Sequence, residues 1–282
     1  MKPNHFQLPS FVRLAIAEAL IVIFTTIVYL PIAFATSRDT TPRTRLAAAP
    51  LAGTITVNVS NDADNLDPSA GCDTDAAASG EQCSLRAAVQ RANALVGDDE
   101  ITFNIPSSQA NCDPSVNRCT INLLKPLPDL ITNIRITSPG IDKITVRRNG
   151  VGGDFRVFHV SGQNDVTFSG LRIENGRPAG IAAGGAIEND SSGIVNVIDS
   201  IFTDNNAGVT VGFGGAIANN IEGTLNVINC FFADNHANTF GGALTNAGPG
   251  TLNILSSVIL HNDVRQIYRW HVQREMEGVV AI

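Results

Sequence analysis

Two carboxylates recur in step along the second half of the chain: Asp204 in Phe202-Thr203-Asp204-Asn205 and Asp234 in Phe232-Ala233-Asp234-Asn235. Stacked about 4.8 Å apart, as neighbouring strands are, they would meet the separation glycoside hydrolysis asks of its two carboxyl groups. The third copy, Ile259-Leu260-His261-Asn262, carries a histidine there. A residue that recurs with its phrase is better explained by the backbone of that phrase than by a reaction, so this position reads as a corner. Asp199 faces Asn229 and Ser256 in the other copies and has no repeated carboxylate beside it. The densest acidic cluster is Asp62, Asp64, Asp67, Asp73 and Asp75. Calcium is held by several such oxygens, but Asp62-x-Asp64-x-Leu66-Asp67 lacks the fifth-position oxygen and sixth-position glycine of an EF-hand loop. It reads as a solvated acidic loop, and Asp98-Asp99-Glu100 as a solvated turn. His159, between Phe158 and Val160, reads as a structural histidine, and Arg147-Arg148 as surface charge before an Asn149-Gly150 turn. No nucleophile–histidine–acid order, glycine-rich phosphate loop or zinc-type spacing is present. The sequence therefore assigns no catalytic residue, no metal ligand and no cofactor.

The elements that carry these residues follow from repetition. Gly184-Gly185-Ala186-Ile187-Glu188-Asn189 returns as Gly214-Gly215-Ala216-Ile217-Ala218-Asn219 and Gly241-Gly242-Ala243-Leu244-Thr245-Asn246, after 30 and then 27 residues. Asn205, Asn235 and Asn262 keep step with them. The three-residue difference falls entirely between the Asp-Asn phrase and the next Gly-Gly, so one loop absorbs insertions. A period of this size marks a solenoid, each repeat burying its apolar face against its neighbours. Val195 and Val197, Leu225 and Val227, and Leu252 and Ile254 flank an outward Asn with strand period. Short strands at Ala186-Ile187 and Ile201-Phe202, with their equivalents, complete three per turn. Gly and Asn suit the corners because they tolerate left-handed backbone. Equivalent Asn side chains are placed to bond in ladders. The fold expected is an all-β parallel β-helix over 106–263.

Residues 1–35 read as a secretory signal peptide: Lys2 and Arg13, an apolar run from Leu14, then Ala33-Phe34-Ala35 as cleavage site. Glu18 within the run and Pro31 favour this over an uncleaved anchor, so no stable membrane span is expected after cleavage. A Thr/Pro/Ala-rich linker covers 36–53. Export permits disulfides, and Cys72 with Cys83 and Cys112 with Cys119 form the simplest local pairs. Cys230 replaces Ser200 and Ser257 of the other repeats and reads as a small buried filler. The net charge of −7 becomes −8 without the leader, which argues against nucleic acid or anionic lipid as a partner. Between Thr36 and Asp263 there is neither Trp nor Tyr, which counts against glycan binding by aromatic stacking. A fourth Gly-Gly is due near 268–271, where Tyr268-Arg269-Trp270-His271 stands. The off-pattern tail 264–282 favours truncation or frame shift over a designed cap.

The module over 54–105 differs. Ser84 to Leu95 is the one convincing helix, with Leu85, Ala88, Val89, Ala92 and Leu95 on a face and Gly97 as its stop. It is placed to cover the open end of the first coil. Cys83-Ser84-Leu85-Arg86-Ala87-Ala88 followed by Gln90-x-x-Asn93 resembles the C-S-L-R-E-A motif of the CSLREA-domain proteins. The Gly-Gly-Ala-Ile phrases resemble repeats of polymorphic outer-membrane proteins. The resemblance implies an exported bacterial protein with a pectin-lyase-like right-handed β-helix. The motif's Glu falls at Ala87, so the capping box lacks its return half, at a cost of about 0.5–1 kcal/mol. The function expected is a secreted or cell-surface, non-enzymatic scaffold contacting extracellular polysaccharide or protein. The alternative is a polysaccharide lyase or glycoside hydrolase, on fold analogy.

Overall fold

The structure of the chain, a computed structural model, describes residues 51–208, 210–264 and 280–281. The proposed signal peptide, most of the linker and most of the C-terminal tail lie outside the described residues. The fold is a parallel β-solenoid with one short helix.

One seven-stranded sheet runs Leu51–Val57, Asp98–Phe103, Ile134–Thr137, Val166–Ser169, Ile194–Ile198, Thr224–Ile228 and Thr251–Leu255, all paired in parallel. A second stacks Arg118–Leu123, Ile144–Arg148, Leu171–Glu174, Ile201–Thr203, Phe231–Ala233 and Val258–Leu260, with a hairpin strand at Cys112–Asp113. The third stacks Phe158–Gly162, Ile187–Ser191, Ile217–Asn219 and Leu244–Asn246. At its edge Val280–Ala281 pairs antiparallel with Asn246 and Thr245, so this piece of the tail does not continue the coil direction. The strand Leu51–Val57 reaches back into the segment read as linker.

Registry follows sequence homology: Ile187, Ile217 and Leu244 are neighbours, as are Phe202, Phe232 and Ile259. Each inward residue therefore stacks on its own equivalent. Phe202 and Phe232 lie face to face, ring centres 4.8 Å apart. Two of the corners are set by left-handed non-glycine positions in each coil. Asp199, Asn229 and Ser256 have φ of 51°, 54° and 53°; Asp204, Asp234 and His261 have 58°, 55° and 52°. The corner residue is thus the Asp of the Asp-Asn phrase, while the Asn after it turns inward. Asn205 and Asn235 are fully buried, and Asn205 Nδ2 donates to Asn235 Oδ1 at 3.0 Å, as Asn235 does to Asn262 at 2.8 Å. A second inner ladder joins Asn189, Asn219 and Asn246, at 2.6 and 2.7 Å. An outer one joins Asn196 and Asn226, both half-exposed, to exposed Asn253. The paired glycines have separate reasons. Gly184, Gly214 and Gly241 take φ near +60°, whereas a Cβ on Gly185 or Gly215 would meet the carbonyl oxygen of the next coil's glycine at 2.3 or 2.0 Å.

At the N-terminal end, helix α1 (Leu85–Ala94) packs Leu85, Ala87, Ala88, Val89 and Ala92 into the same core as Val57 and Ile101. Ser84 Oγ accepts from the Ala87 amide at 3.0 Å, so the cap holds with Ala87 itself buried. Cys72 is bonded to Cys83 and Cys112 to Cys119. Cys230 is free and buried, its Sγ near the Ile228 carbonyl at 3.3 Å. Desolvation pushes its thiol pKa up to about 11, which makes it a poor nucleophile.

Two local readings are corrected by burial. Asp98-Asp99-Glu100 is strand, not turn, and Asp99 points inward in line with Ile101 and Phe103. Arg148 is buried beside exposed Arg147, donating to the carbonyls of Asn175 and Gly153 at 2.7 and 2.9 Å.

Candidate functional site

The acidic loop does not converge on a point. Asp62 is buried against Arg86, and Asp64 pairs with Lys125 and accepts from Gln90. Asp67 accepts from the amide and hydroxyl of Ser69, Asp73 from the amides of Asp75 and Gln82, and Asp75 from that of Ala77. These carboxylates close local turns, which is why those of Asp67 and Asp73 sit below their ordinary range. Asp204 and Asp234 stand exposed at their corners.

The convergent cluster lies elsewhere, on the outer face of the third sheet. In Phe158–Gly162, Phe158 and Val160 are buried, so alternation turns His159 outward. On the next coil Asn189 belongs to the inner ladder, so Glu188 and Asp190 flank it facing out, with Glu188 in register with His159. The isolated bridge between Leu130 and Val160 brings Asp129 beside His159 from below. Asn220 enters from the coil above.

His159 Nδ1 lies 3.0 Å from Asp129 Oδ1, and Nε2 lies 3.0 Å from Asp190 Oδ2 and 3.9 Å from Glu188 Oε2. Asn220 Nδ2 donates to Glu188 Oε1 and to Asp190 Oδ1, both at 3.0 Å. The Arg156 guanidinium sits on the other Glu188 oxygen. Ligand atoms of His159, Glu188 and Asp190 all fall within 4.8 Å of one another, the one such trio among the described residues. An adjoining cavity of about 210 Å³ is lined by Asp129, Arg156 and His159 together with Leu127, Phe155 and Pro178.

The environments differ sharply. Burial raises the Glu188 carboxyl above its ordinary range, and Arg156 only partly offsets this. The hydrogen bond from His159 holds Asp190 below its range. The same bond, with help from Asp129, raises the imidazole against its desolvation. An acid kept protonated longer beside one kept ionised is the arrangement of general acid and base. Here, though, one asparagine amide bridges the two carboxylates and occupies the space between them.

Comparison with family models, curated proteins and solved structures finds no match to the chain. The CSLREA resemblance therefore stands on the Cys83-to-Asn93 motif, and the site stands on its geometry. Sequence reading missed Glu188, Asp190, Asp129, Arg156 and Asn220, and gave His159 no partner. One signal was present: position 188 is Glu where the repeat has Ala218 and Thr245. A charge that breaks a repeat marks something the scaffold alone does not need.

Proposed function

We propose that the chain is an exported β-helix scaffold of the cell surface or its surroundings, offering its outer face to extracellular polysaccharide or protein, without enzymatic turnover. The observation that carries this reading is the saturation of the one convergent cluster. Glu188, Asp190 and both ring nitrogens of His159 already have protein partners. A hydrolytic site needs a carboxylate free to reach substrate, or a water held against one. Two disulfides fit an oxidising compartment. Among the described residues no helix is long and apolar enough to cross a membrane. Immobilised chain probed with polysaccharides and matrix proteins tests the scaffold: saturable binding on the outer face is the expected result, and none with any class removes its support.

The second reading, a polysaccharide lyase or hydrolase of the pectin-lyase-like type, is favoured by the opposed pKa directions of Glu188 and Asp190. Reducing-end release and ultraviolet absorbance of unsaturated products would reveal it. Activity in the native chain that disappears in a folded Glu188→Gln variant would replace the scaffold reading.

A further inference from the structure

We infer that His159, Glu188 and Asp190 form a binding site for one divalent transition-metal ion of the zinc and cobalt class, with Asp129 as the residue that positions the imidazole. The inference goes beyond the scaffold reading and does not depend on it.

Three features carry it. The first is the donor set: one imidazole nitrogen and two carboxylates from adjacent coils, with ligand atoms within 4.8 Å of one another. An ion bound about 2.0–2.2 Å from nitrogen and oxygen ligands holds them within about 4.4 Å of one another, so a small side-chain shift closes the set. Two carboxylates match the charge of a divalent ion, and imidazole selects the zinc-like metals over calcium, which prefers oxygen alone. The second is orientation. Asp129 takes Nδ1 at 3.0 Å, so Nδ1 keeps its N–H when an ion replaces the Nε2 proton that Asp190 accepts, and Nε2 lies 3.0 Å from Asp190 and 3.9 Å from Glu188. A carboxylate behind the histidine is the arrangement that raises ligand basicity in metal centres. The third is completion and access. Asn220 touches both carboxylates, and a half-turn of its amide presents an oxygen in place of the nitrogen. The side chains of His159 and Asp190 remain 24 % and 36 % exposed, which leaves the position open to solvent ions.

Arg156 opposes the ion, because its guanidinium occupies Glu188. Binding requires that contact to loosen, so Arg156 sets the affinity from outside the ligand set. This separates a metal site from a purely structural charge network: removing Arg156 weakens the network but strengthens the site.

Full-length chain stripped with chelator is titrated with Co²⁺ and Zn²⁺ by calorimetry and visible absorption, with circular dichroism checking the fold of each variant. The expected result is one equivalent bound in the wild type, lost in His159→Gln and in Glu188→Gln. Asp129→Asn binds about 10- to 100-fold more weakly and shifts the cobalt bands, which a residue that only stabilised the coil would not do. Arg156→Gln binds more tightly. If His159→Gln does not fold, Glu188→Gln and Arg156→Gln decide between them. No saturable binding in the wild type overturns the site. Binding kept in Glu188→Gln also does, since the ion would then not need the carboxylate that the site is built on. Displacement of cobalt by equimolar calcium overturns the metal class.

Discussion

Arg86 and Asp62 form a bidentate ion pair sealed from water, with Nε to Oδ1 at 2.9 Å, Nη2 to Oδ2 at 3.0 Å, and side chains 2 % and 1 % exposed. The guanidinium also donates to the carbonyls of Pro126 and Lys125, at 2.6 and 2.8 Å, and Asp62 accepts from the Leu124 amide at 2.7 Å. The arginine of the Cys-Ser-Leu-Arg motif therefore ties helix α1 to the acidic loop and to the segment after the second-sheet strand Arg118–Leu123. Breaking a buried pair from one side strands a charge. Asp62→Asn should destabilise the chain by about 3–5 kcal/mol, and Arg86→Lys by a similar amount because an ammonium cannot reproduce the fork. Denaturant unfolding measures both; a loss below about 1 kcal/mol would show that the pair is dispensable.

The solenoid was legible because a repeat writes its own register: once Asn189, Asn219 and Asn246 are aligned, Ile187, Ile217 and Leu244 must be neighbours. The cluster was not legible, because its members come from four consecutive coils and are adjacent only after stacking. Asp129 and Arg156 lie before the recognisable repeats, so no internal copy existed against which to see them as exceptions. Asp62 was misjudged for a related reason. Its partner Arg86 is 24 residues away, and an acidic loop gives no hint which of its carboxylates is inside.

The inner and outer asparagine ladders should respond differently to the same substitution. Asn219 is fully buried and bonded to Asn189, Asn246 and the Gly223 carbonyl. Asn219→Ala leaves the neighbouring amides without partners in a dry interior, which costs about 1–3 kcal/mol for each orphaned group. Asn226 is half-exposed, and water replaces its partners when it is removed. Thermal unfolding of the two alanine variants should rank Asn219 well below Asn226. Equal losses would mean that water already reaches the inner ladder.

The His159 cluster predicts a pH-dependent stability in the chelator-treated chain. The imidazole is raised above 6.5, so its contribution is complete below 6.5 and fades as the pH climbs through the folded value. Asp190 is lowered beneath 3.8, so its contribution holds above 3.8 and is lost only as the pH falls through the folded value. Between 3.8 and 6.5 both are present. His159→Gln should therefore lower the melting temperature most inside that window and least on the alkaline side, where the wild type has already lost the imidazolium. A difference between the two chains that stays constant with pH would sink the assignment of charge to His159.

Asp99 makes the opposite case, a carboxylate that the fold tolerates. It is 1 % exposed, faces inward in line with Ile101 and Phe103, and neither oxygen has a hydrogen-bond partner among the described residues. Gly53 is its neighbour on one strand and Ile134 on the other, so nothing polar meets it across the sheet. Burial raises its carboxyl above 3.8, despite the attraction of Arg91. For an acid raised on folding, the native state holds the proton longer, and stability falls as the pH rises from 3.8 through the folded value. Asp99→Val places a β-branched residue, which a strand favours, and removes the desolvated charge, so it should stabilise the chain at neutral pH by about 1–3 kcal/mol. The gain should shrink as the pH approaches 3.8, where the wild-type carboxyl is already neutral. Urea unfolding of both chains at the two ends of that range measures it. A variant less stable than the wild type at neutral pH would overturn the view that the inward carboxylate is a cost to the fold.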